Sequence, residues 1–478
     1  MAQRPRSVTR PADRDRHSDP ARHTAYLTMR AVRHGAYANL ELPDQLRQAR
    51  LSGRDAAFAT ELCYGTIRMQ GLYDPIIAVA AQRDLDTIDV AVLDVLRMGA
   101  HQILGMRVPD HAAVNASVAL ARSVVSQGAA GFVNAVLRRV TERSREAWVQ
   151  VVTEPARDAN DRLAREFSHP LWIVRALRAA LLAHQVSTPE TLSTDLASVL
   201  TAQNRPGALM LTARPGLGAE EDLAMAGADP AEQAPTAWAL PQGDPGSVAS
   251  IRDGRSAVQD AGSQLVALAL GHAPVEQNSG RWLDLCAGPG GKAGLLAGLA
   301  LQAGASLVAN EVSEHRAELV RHTLRAAVTA GATVEVSVGD GRSLGVEQPD
   351  SYDRVLVDAP CTGLGALRRR PEARWRRQPS DLAGLAPLQR ELLTSALQAT
   401  RVGGVVVYAT CSPHIAETTL VVDDVMKSFG HASVEDVRPL VRDRAGVAYR
   451  DLGPGPWAQL WPHLHDTDGM FLALLRRT

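Results

Sequence analysis

The chain has 478 residues, 45% of them apolar and 22% charged, with a formal net charge of −1 at pH 7. That length admits roughly two to four domains, and no apolar run approaches the ~20 residues of a membrane span. Near-zero net charge announces no global field for nucleic acid. The four cysteines, Cys63, Cys286, Cys361 and Cys411, have neither the density of a disulfide framework nor zinc-site spacing.

The opening "MAQRPRSVTRPADRDRHSDPAR" is basic, punctuated by proline and without the apolar core of a secretory signal. Residues 1–20 are therefore expected to be a disordered basic arm, and the protein cytoplasmic. Only two of the 51 cations are lysine, Lys292 and Lys427. In a chain that almost always uses arginine, a lysine suggests a position needing a compact ammonium rather than a planar fork.

Residues 21–149 form the first folded segment, helical over 21–141. Leu93, Leu96, Ala100, Ile103 and Leu104 make a helical apolar stripe. Ser52 and Pro109 mark helix starts, and "GAAGFVNAVLRRV" supplies a last helix. The phrases "RDAAFATELCYGTIRMQGLYD" and "PDHAAVNASVALAR…GFVNAVLRRV" resemble the NusB-like RNA-binding bundle that opens bacterial RsmB-type rRNA methyltransferases. On that resemblance Arg138 and Arg139 become candidates to face RNA phosphates, although for either residue alone a solvated helix end is the commoner explanation.

Residues 150–258 read as a mixed α/β connector, with a helix from "FSHPLWIVRAL" and a strand in "NRPGALMLTARPG". "SHP" and "NRP" fit the linker and small RNA-side subdomain of the same family.

From residue 259 to 478, strands and helices alternate. "RWLDLC", "SLVANE", "TVEVSVGD", "DRVLVDAP", "GVVVYATC" and "MFLALLRR" are the strands, and the pattern argues for an open parallel α/β sheet of Rossmann-like kind. "LDLCAGPGGKAGLLAGL" runs strand, glycine-rich turn, helix. Such a turn lets a ligand approach the backbone and the free amides of a helix N-terminus. It is neither a Walker loop nor a GxGxxG fingerprint. Glu311 follows about 25 residues after the turn begins, where a carboxylate grips a ribose diol. Asp340, at a third strand end, suits an adenine amino group.

With "CAGPGGK", "NE", "GD" and "DAPC" in this order, the segment resembles the S-adenosylmethionine-dependent RNA 5-methylcytosine methyltransferases of the NOL1/NOP2/sun family. Gly288, Ala293 and Thr362 depart from the family's usual Ala, Thr and Ser, all small-for-small. The resemblance implies that Cys286, Ala287, Gly288, Pro289, Gly290, Gly291 and Lys292 form the S-adenosylmethionine loop. Glu311, Asp340 and Asp358 would complete that site.

Carbon 5 of cytosine is a poor nucleophile. A thiolate added at carbon 6 makes carbon 5 enamine-like. Loss of the carbon-5 proton and collapse of the adduct then need a base and a release device. Two cysteines at neighbouring strand ends can both face one base. The resemblance assigns Cys411, in the Thr-Cys-Ser phrase, as nucleophile and Cys361, in the Pro-Cys phrase, as the release residue. Asp358 would bond the cytosine edge near N3 and the amino group. Lys292 would neutralise charge near the base or the methionine carboxylate. For a lone cysteine after a buried strand, a small apolar filler is the ordinary explanation. Cys63, and Cys286 within its loop, are read as structural.

"GALRRRPEARWRRQPSD" follows Cys361 directly. Arg368, Arg369, Arg370, Arg374, Arg376 and Arg377 are expected to meet RNA phosphates around Trp375, whose indole would stack on a base or pack into the core. The implied function is 5-methylcytosine formation in small-subunit rRNA by a monomer without metal. The alternatives are the same chemistry on tRNA or another RNA, a non-catalytic RNA-binding assembly factor, or an amino-group methyltransferase. The last usually presents Asn/Asp-Pro-Pro-aromatic where this chain has "DAPC".

Overall fold

The computed structural model describes residues 19–276 and 279–478. The expected basic arm lies outside them except for its last two residues, where the Asp19 side chain caps the first helix by accepting from the Arg22 amide at 2.9 Å. The chain divides into two compact units, residues 1–174 with 369–376, and residues 175–368 with 377–478.

The first unit is helical: α1 Pro20–Arg33, α2 Ala38–Gln48, α3 Gly53–Ala81, α4 Val90–Leu104, α5 Asp110–Val124, α6 Gln127–Val140, α7 Arg145–Thr153 and α8 Ala159–Glu166. The expected starts at Ser52 and Pro109 are the N-caps of α3 and α5. Leu93, Leu96 and Ala100 are buried, as the stripe on α4 requires, in a core shared with Leu62, Cys63, Ile76 and Val133. Cys63 is fully buried there and free, and burial pushes its thiol pKa up.

The chain passes from the first unit to the second within α9, Leu171–Ala183, and continues through α10, Leu192–Asn204. A small antiparallel sheet follows, in spatial order β2-β3-β1-β4, from β1 Leu209–Ala213, β2 Asp229–Pro230, β3 Ala237–Leu240 and β4 Ser256–Val258. Short helices α11 Glu220–Met225 and α12 Ala249–Asp253 interrupt it. Only β1 was legible as a strand, because the other three are two to four residues long.

The large sheet runs β10-β12-β9-β8-β5-β6-β7, with β11 paired to β12. Its strands are β5 Arg281–Asp284, β6 Ser306–Glu311, β7 Thr333–Val338, β8 Tyr352–Asp358, β9 Thr400–Thr410, β10 Ala432–Glu435, β11 Ala458–Gln459 and β12 Phe471–Arg477. The helices are α13 Ala261–His272, α14 Gly291–Ala303, α15 Glu314–Thr329, α16 Leu344–Glu347, α17 Ala373–Arg376, α18 Asp381–Ala399, α19 Thr419–Phe429 and α20 Pro462–His465; α17 belongs to the first unit. The expected parallel sheet holds for its central strands and is corrected at its C-terminal edge. β5 to β9 pair in parallel, but β12 runs antiparallel to β9 and β10 antiparallel to β12. Apolar runs do not encode direction, and β12 is reached without a crossover helix long enough to force a parallel return.

"GVVVYAT" is apolar throughout because β9 is covered on both faces. Val405, Val407 and Ala409 join one core cluster, while Val406 and Tyr408 join the other. This alternation follows from the period of two along a strand. It fixes β9 centrally and sets its C-terminal end, where Cys411 follows, beside that of β8, with Asp358 opposite Ala409.

Candidate active site

The glycine-rich turn joins β5 to α14. Gly290 has φ +112°, and a Cβ there would meet Thr323 at 2.8 Å. A Cβ on Gly288 would meet Glu311 Oε2 at 2.1 Å. Glycine is therefore required at both places. Glu311 ends β6 and is 3% exposed; its carboxylate accepts from the Gly288 amide and the Ser313 amide, both at 3.1 Å. Asn310 ties the strand ends together, donating to the carbonyls of Leu285 and Gly339 at 3.1 Å each. Asp340 lies on the third strand end as expected. Its carboxylate is engaged by Arg342, through the amide at 3.0 Å and Nη2 at 2.6 Å, which holds its pKa below the usual range. Cys286 is half-buried, and burial pushes its thiol pKa up.

Asp284 escaped the sequence reading, although it stands in the quoted "LDLC" as an acid inside an apolar strand. It is completely buried, and both its oxygens lack a hydrogen bond of normal geometry, with the Cys286 amide close enough to favour the anion. Burial first, and Asp358 second, push its carboxyl up to about 7, against the opposing charge of Lys292. This buried acceptor, the Glu311 carboxylate and the open N-terminus of α14 suit a ligand carrying an ammonium, a ribose diol and a carboxylate. S-adenosylmethionine has all three. The residues present fit that group.

Lys292, on the first turn of α14, donates from Nζ to Asp358 Oδ2 at 2.7 Å. Burial works against its charge, but Asp358, Cys411 and Asp284 together raise its pKa, so the ammonium is retained. One lysine thus balances two strand-end acids and faces a thiol.

Cys361 Sγ and Cys411 Sγ are 3.3 Å apart, both as free cysteines. Cys361 is buried at 9% exposure and Cys411 is half-buried. The hydrogen bond with Cys411, then burial, raise the Cys361 pKa well above that of an ordinary thiol. Both effects favour the neutral thiol at Cys361. The two loops are stitched together: Gly365 N donates to Cys411 O at 2.9 Å, and the hydroxyls of Thr362 and Ser412 lie 3.2 Å apart. Glu417, wholly buried, accepts from Thr362 N at 2.7 Å, and Gln389 donates to Pro360 O at 2.8 Å. Neither Glu417 nor Gln389 carries a sequence signal, since each is remote in number from the main-chain group it binds, Glu417 from Thr362 and Gln389 from Pro360.

The arginine-rich segment is corrected in part. Arg368 is buried at 4% exposure and bonded to Asp468 at 2.8 Å, Asp466 at 2.9 Å and Asp260 at 3.2 Å. Arg374 is fully buried in the helical unit and donates to the carbonyls of Arg68 and Ser168. Arg376 donates to the carbonyls of Val32 and Ala36. Trp375 packs on the helical core, its Nε1 donating to Ile67 O at 2.8 Å. These guanidinium groups turn inward because aspartates or main-chain carbonyls accept their hydrogen bonds. Arg377 reaches Cys361 O at 3.4 Å and Asp381 at 3.7 Å, Arg369 is half-buried, and Arg370 is exposed. Arg138 and Arg139 lie exposed on the last turn of α6, and Arg139 donates to Ala80 O.

Residues 271–476 match the family model of the 16S rRNA methyltransferase RsmB/F, and residues 19–142 that of the NusB family. Rv1407 of Mycobacterium tuberculosis is 50% identical over 467 residues, which cover 97% of this chain and 98% of that one. Ribosomal RNA small subunit methyltransferase B of Salmonella paratyphi B is 32% identical over 377 residues, 76% of this chain and 80% of that one. Among solved structures, the crystal structure of PH0851 has a TM-score of 0.76 at 21% identity, covering 96% of this chain and 99% of that one; this likeness concerns the fold.

Proposed function

Since the chain belongs to the RsmB/F family of S-adenosylmethionine-dependent rRNA methyltransferases, we propose that it methylates carbon 5 of a cytosine in small-subunit rRNA through a covalent cysteine adduct. The observation that carries this reading is the pair of thiols 3.3 Å apart at the ends of β8 and β9, beside the Lys292–Asp358 pair.

Cys411 is the more open thiol and lies within the field of the Lys292 ammonium. Its thiolate adds to carbon 6, and carbon 5 becomes nucleophilic. When bound, S-adenosylmethionine supplies the electrophilic methyl group. Asp358, held by Lys292, takes up the amino edge of the cytosine. After methylation the carbon-5 proton passes to a solvent water, and the electron pair of that C–H bond forms the 5,6 double bond as the Cys411–carbon 6 bond breaks. Cys361, kept protonated by its surroundings, can give its proton to the departing sulfur. The cytosine must be unpaired or turned out of its helix to reach these groups. The helical unit would hold the surrounding RNA.

Wild type, Cys411→Ala and Cys361→Ala are incubated with S-adenosylmethionine and unmodified small-subunit rRNA, then run on denaturing gels and assayed for 5-methylcytosine. The expected result is product from wild type, none from Cys411→Ala, and a trapped protein–RNA adduct from Cys361→Ala. An adduct from Cys411→Ala would exchange the two roles. If no adduct and no 5-methylcytosine formed with any of the three, the reading would fail.

A further inference from the structure

The two cysteine loops are held by one another and also from behind, by the helical pair α9–α10. Gln203, near the end of α10, is 1% exposed and donates from Nε2 to Leu364 O at 2.9 Å. The peptide that begins with this carbonyl continues to the Gly365 N–H, which donates to Cys411 O at 2.9 Å. A peptide unit is planar and stiff. Gln203 therefore orients one rigid plate whose other edge grips the backbone of Cys411. The plate has little freedom elsewhere, since Gly365 O accepts from Gly469 N at 2.9 Å and a Cβ on Gly365 would lie 2.0 Å from Gly469 O.

His184, at the end of α9, is 0% exposed. Its Nε2 lies 3.3 Å from Pro413 O, two residues beyond Cys411. The ring sits between Trp461 and Phe471, with centroids 6.2 and 5.9 Å away. Phe471 is itself the β12 partner of Thr410. The Cys411 turn is thus gripped at residue 411 through the plate and at residue 413 through His184. Loop carbonyls in a buried place must find donors, but helix and sheet could have covered these with apolar groups and backbone amides. Here two side chains reach them, Gln203 at the Leu364 carbonyl of the Cys361 loop and His184 at the Pro413 carbonyl of the Cys411 turn.

We propose that Gln203 and His184 are positioning residues that set the spacing and direction of the two thiols: Gln203 for the Cys361 loop, His184 for the Cys411 loop. This rests on the covalent mechanism proposed above. It assigns α9–α10, at the start of the second unit, a part in catalysis beyond linkage. A displaced Cys361 loop slows release. A displaced Cys411 loop slows attack.

The test compares Gln203→Met, His184→Leu and His184→Gln with wild type and with Cys361→Ala as control, using S-adenosylmethionine and unmodified small-subunit rRNA. Thermal melting and S-adenosylmethionine affinity are measured on each. Gln203→Met is expected to lower kcat about tenfold with unchanged KM for RNA, and to accumulate adduct, as misalignment of a reacting group does. His184→Leu is expected to slow adduct formation about as much without accumulation. His184→Gln, which keeps a donor at the same reach, is expected to restore the wild-type rate. If Gln203→Met fails to fold, Gln203→Asn, which retracts the amide by one methylene, carries the same test. Wild-type kcat and adduct levels in the Gln203 and His184→Leu variants would overturn the proposal. So would losses that merely track melting temperature and cofactor affinity. If neither Cys361→Ala nor Cys411→Ala trapped an adduct and wild type made no 5-methylcytosine, the covalent mechanism itself would be overturned instead.

Discussion

Glu417, fully buried on the turn after Cys411, accepts from the backbone amide of Thr362 at 2.7 Å. A charge from one cysteine segment thus anchors the residue next to the other cysteine. Thr362 Oγ1 and Gln389 Nε2 donate to the same carboxylate, so it meets three donors and, among the described residues, no ion-pair partner. Glu417→Gln exchanges one acceptor for a donor that faces other donors. A hydrogen bond to a buried charge is worth about 1.5–3 kcal/mol, so kcat should fall by roughly three- to 150-fold if half or more of that is lost at the transition state. Steady-state kinetics with a parallel titration of S-adenosylmethionine checks this. Affinity should stay near wild type, because Glu417 faces the cysteine loop and not the glycine-rich turn.

Lys292 interacts electrostatically with Asp358, Cys411 and Asp284 together. Lys292→Met leaves two neighbouring acids without it and removes positive charge from the thiol. Alkylation of Cys411 in a Cys361→Ala background should therefore slow at neutral pH, and its rate profile should move to higher pH. A thiolate forms less readily when a nearby cation is lost. Mass-spectrometric alkylation rates across pH decide the matter, and an unmoved profile would remove Lys292 from the account of Cys411. Lys292→Arg should not restore it, since a planar fork does not replace a compact ammonium.

What the sequence disclosed of this site followed chain proximity. Cys286 to Lys292, Glu311, Asp340, Asp358, Cys361 and Cys411 all lie at or just beyond strand ends, where periodicity and glycine content mark the boundary. What escaped it depends on three-dimensional return. Gln203 and His184 stand on helices more than a hundred residues before the loops they hold. Burial reversed the reading of Arg368 and Arg374, because a run of arginines gives no sign of which side chains meet aspartates or carbonyls in a core. The direction of β12 was equally silent, since pairing order is a property of the sheet and not of the strand.

Gly290→Ala tests the turn itself. With φ at +112° and Thr323 at 2.8 Å from an added Cβ, alanine meets both a strained backbone and a clash. Such strain costs about 1–3 kcal/mol. If the turn relaxes, S-adenosylmethionine affinity should fall by roughly five- to a hundredfold, read by calorimetric titration. Gly384, on α18 with open space around its Cβ position, offers a control: Gly384→Ala should leave the affinity unchanged.

Arg370 and Arg374 should separate RNA binding from stability. Arg370 is exposed, so Arg370→Glu should weaken RNA binding and lessen its salt dependence without altering the melting temperature. Arg374 is fully buried, and burial lowers its pKa well below the usual arginine range, so the charge is costly where it sits. Arg374→Ala removes a charged donor from the carbonyls of Arg68 and Ser168, of which the first keeps the Ser168 hydroxyl at 2.9 Å, and a hydrogen bond from a charged group is worth about 1.5–3 kcal/mol. Its melting temperature should fall before its RNA affinity changes. Filter binding at several salt concentrations, beside thermal melts, tells the two apart.

His184 should make the chain acid-sensitive in a defined window. Burial lowers its pKa from 6.5 to about 4, with the Pro413 carbonyl opposing. Above pH 6.5 the ring is neutral whether the chain is folded or not, and its contribution to stability is fully present. Between 6.5 and about 4 the unfolded chain binds a proton that the folded chain refuses, so stability declines as pH falls through this range. Below about 4 the folded form is protonated as well, and the loss levels off at about 3 kcal/mol. His184→Gln cannot titrate. Its melting temperature should fall less steeply from pH 6.5 to 4 than that of wild type, while the two converge in slope above 6.5. Equal slopes across the acid range would mean that the ring is not held neutral, and with that the close packing of His184 behind the Cys411 turn would have to be abandoned.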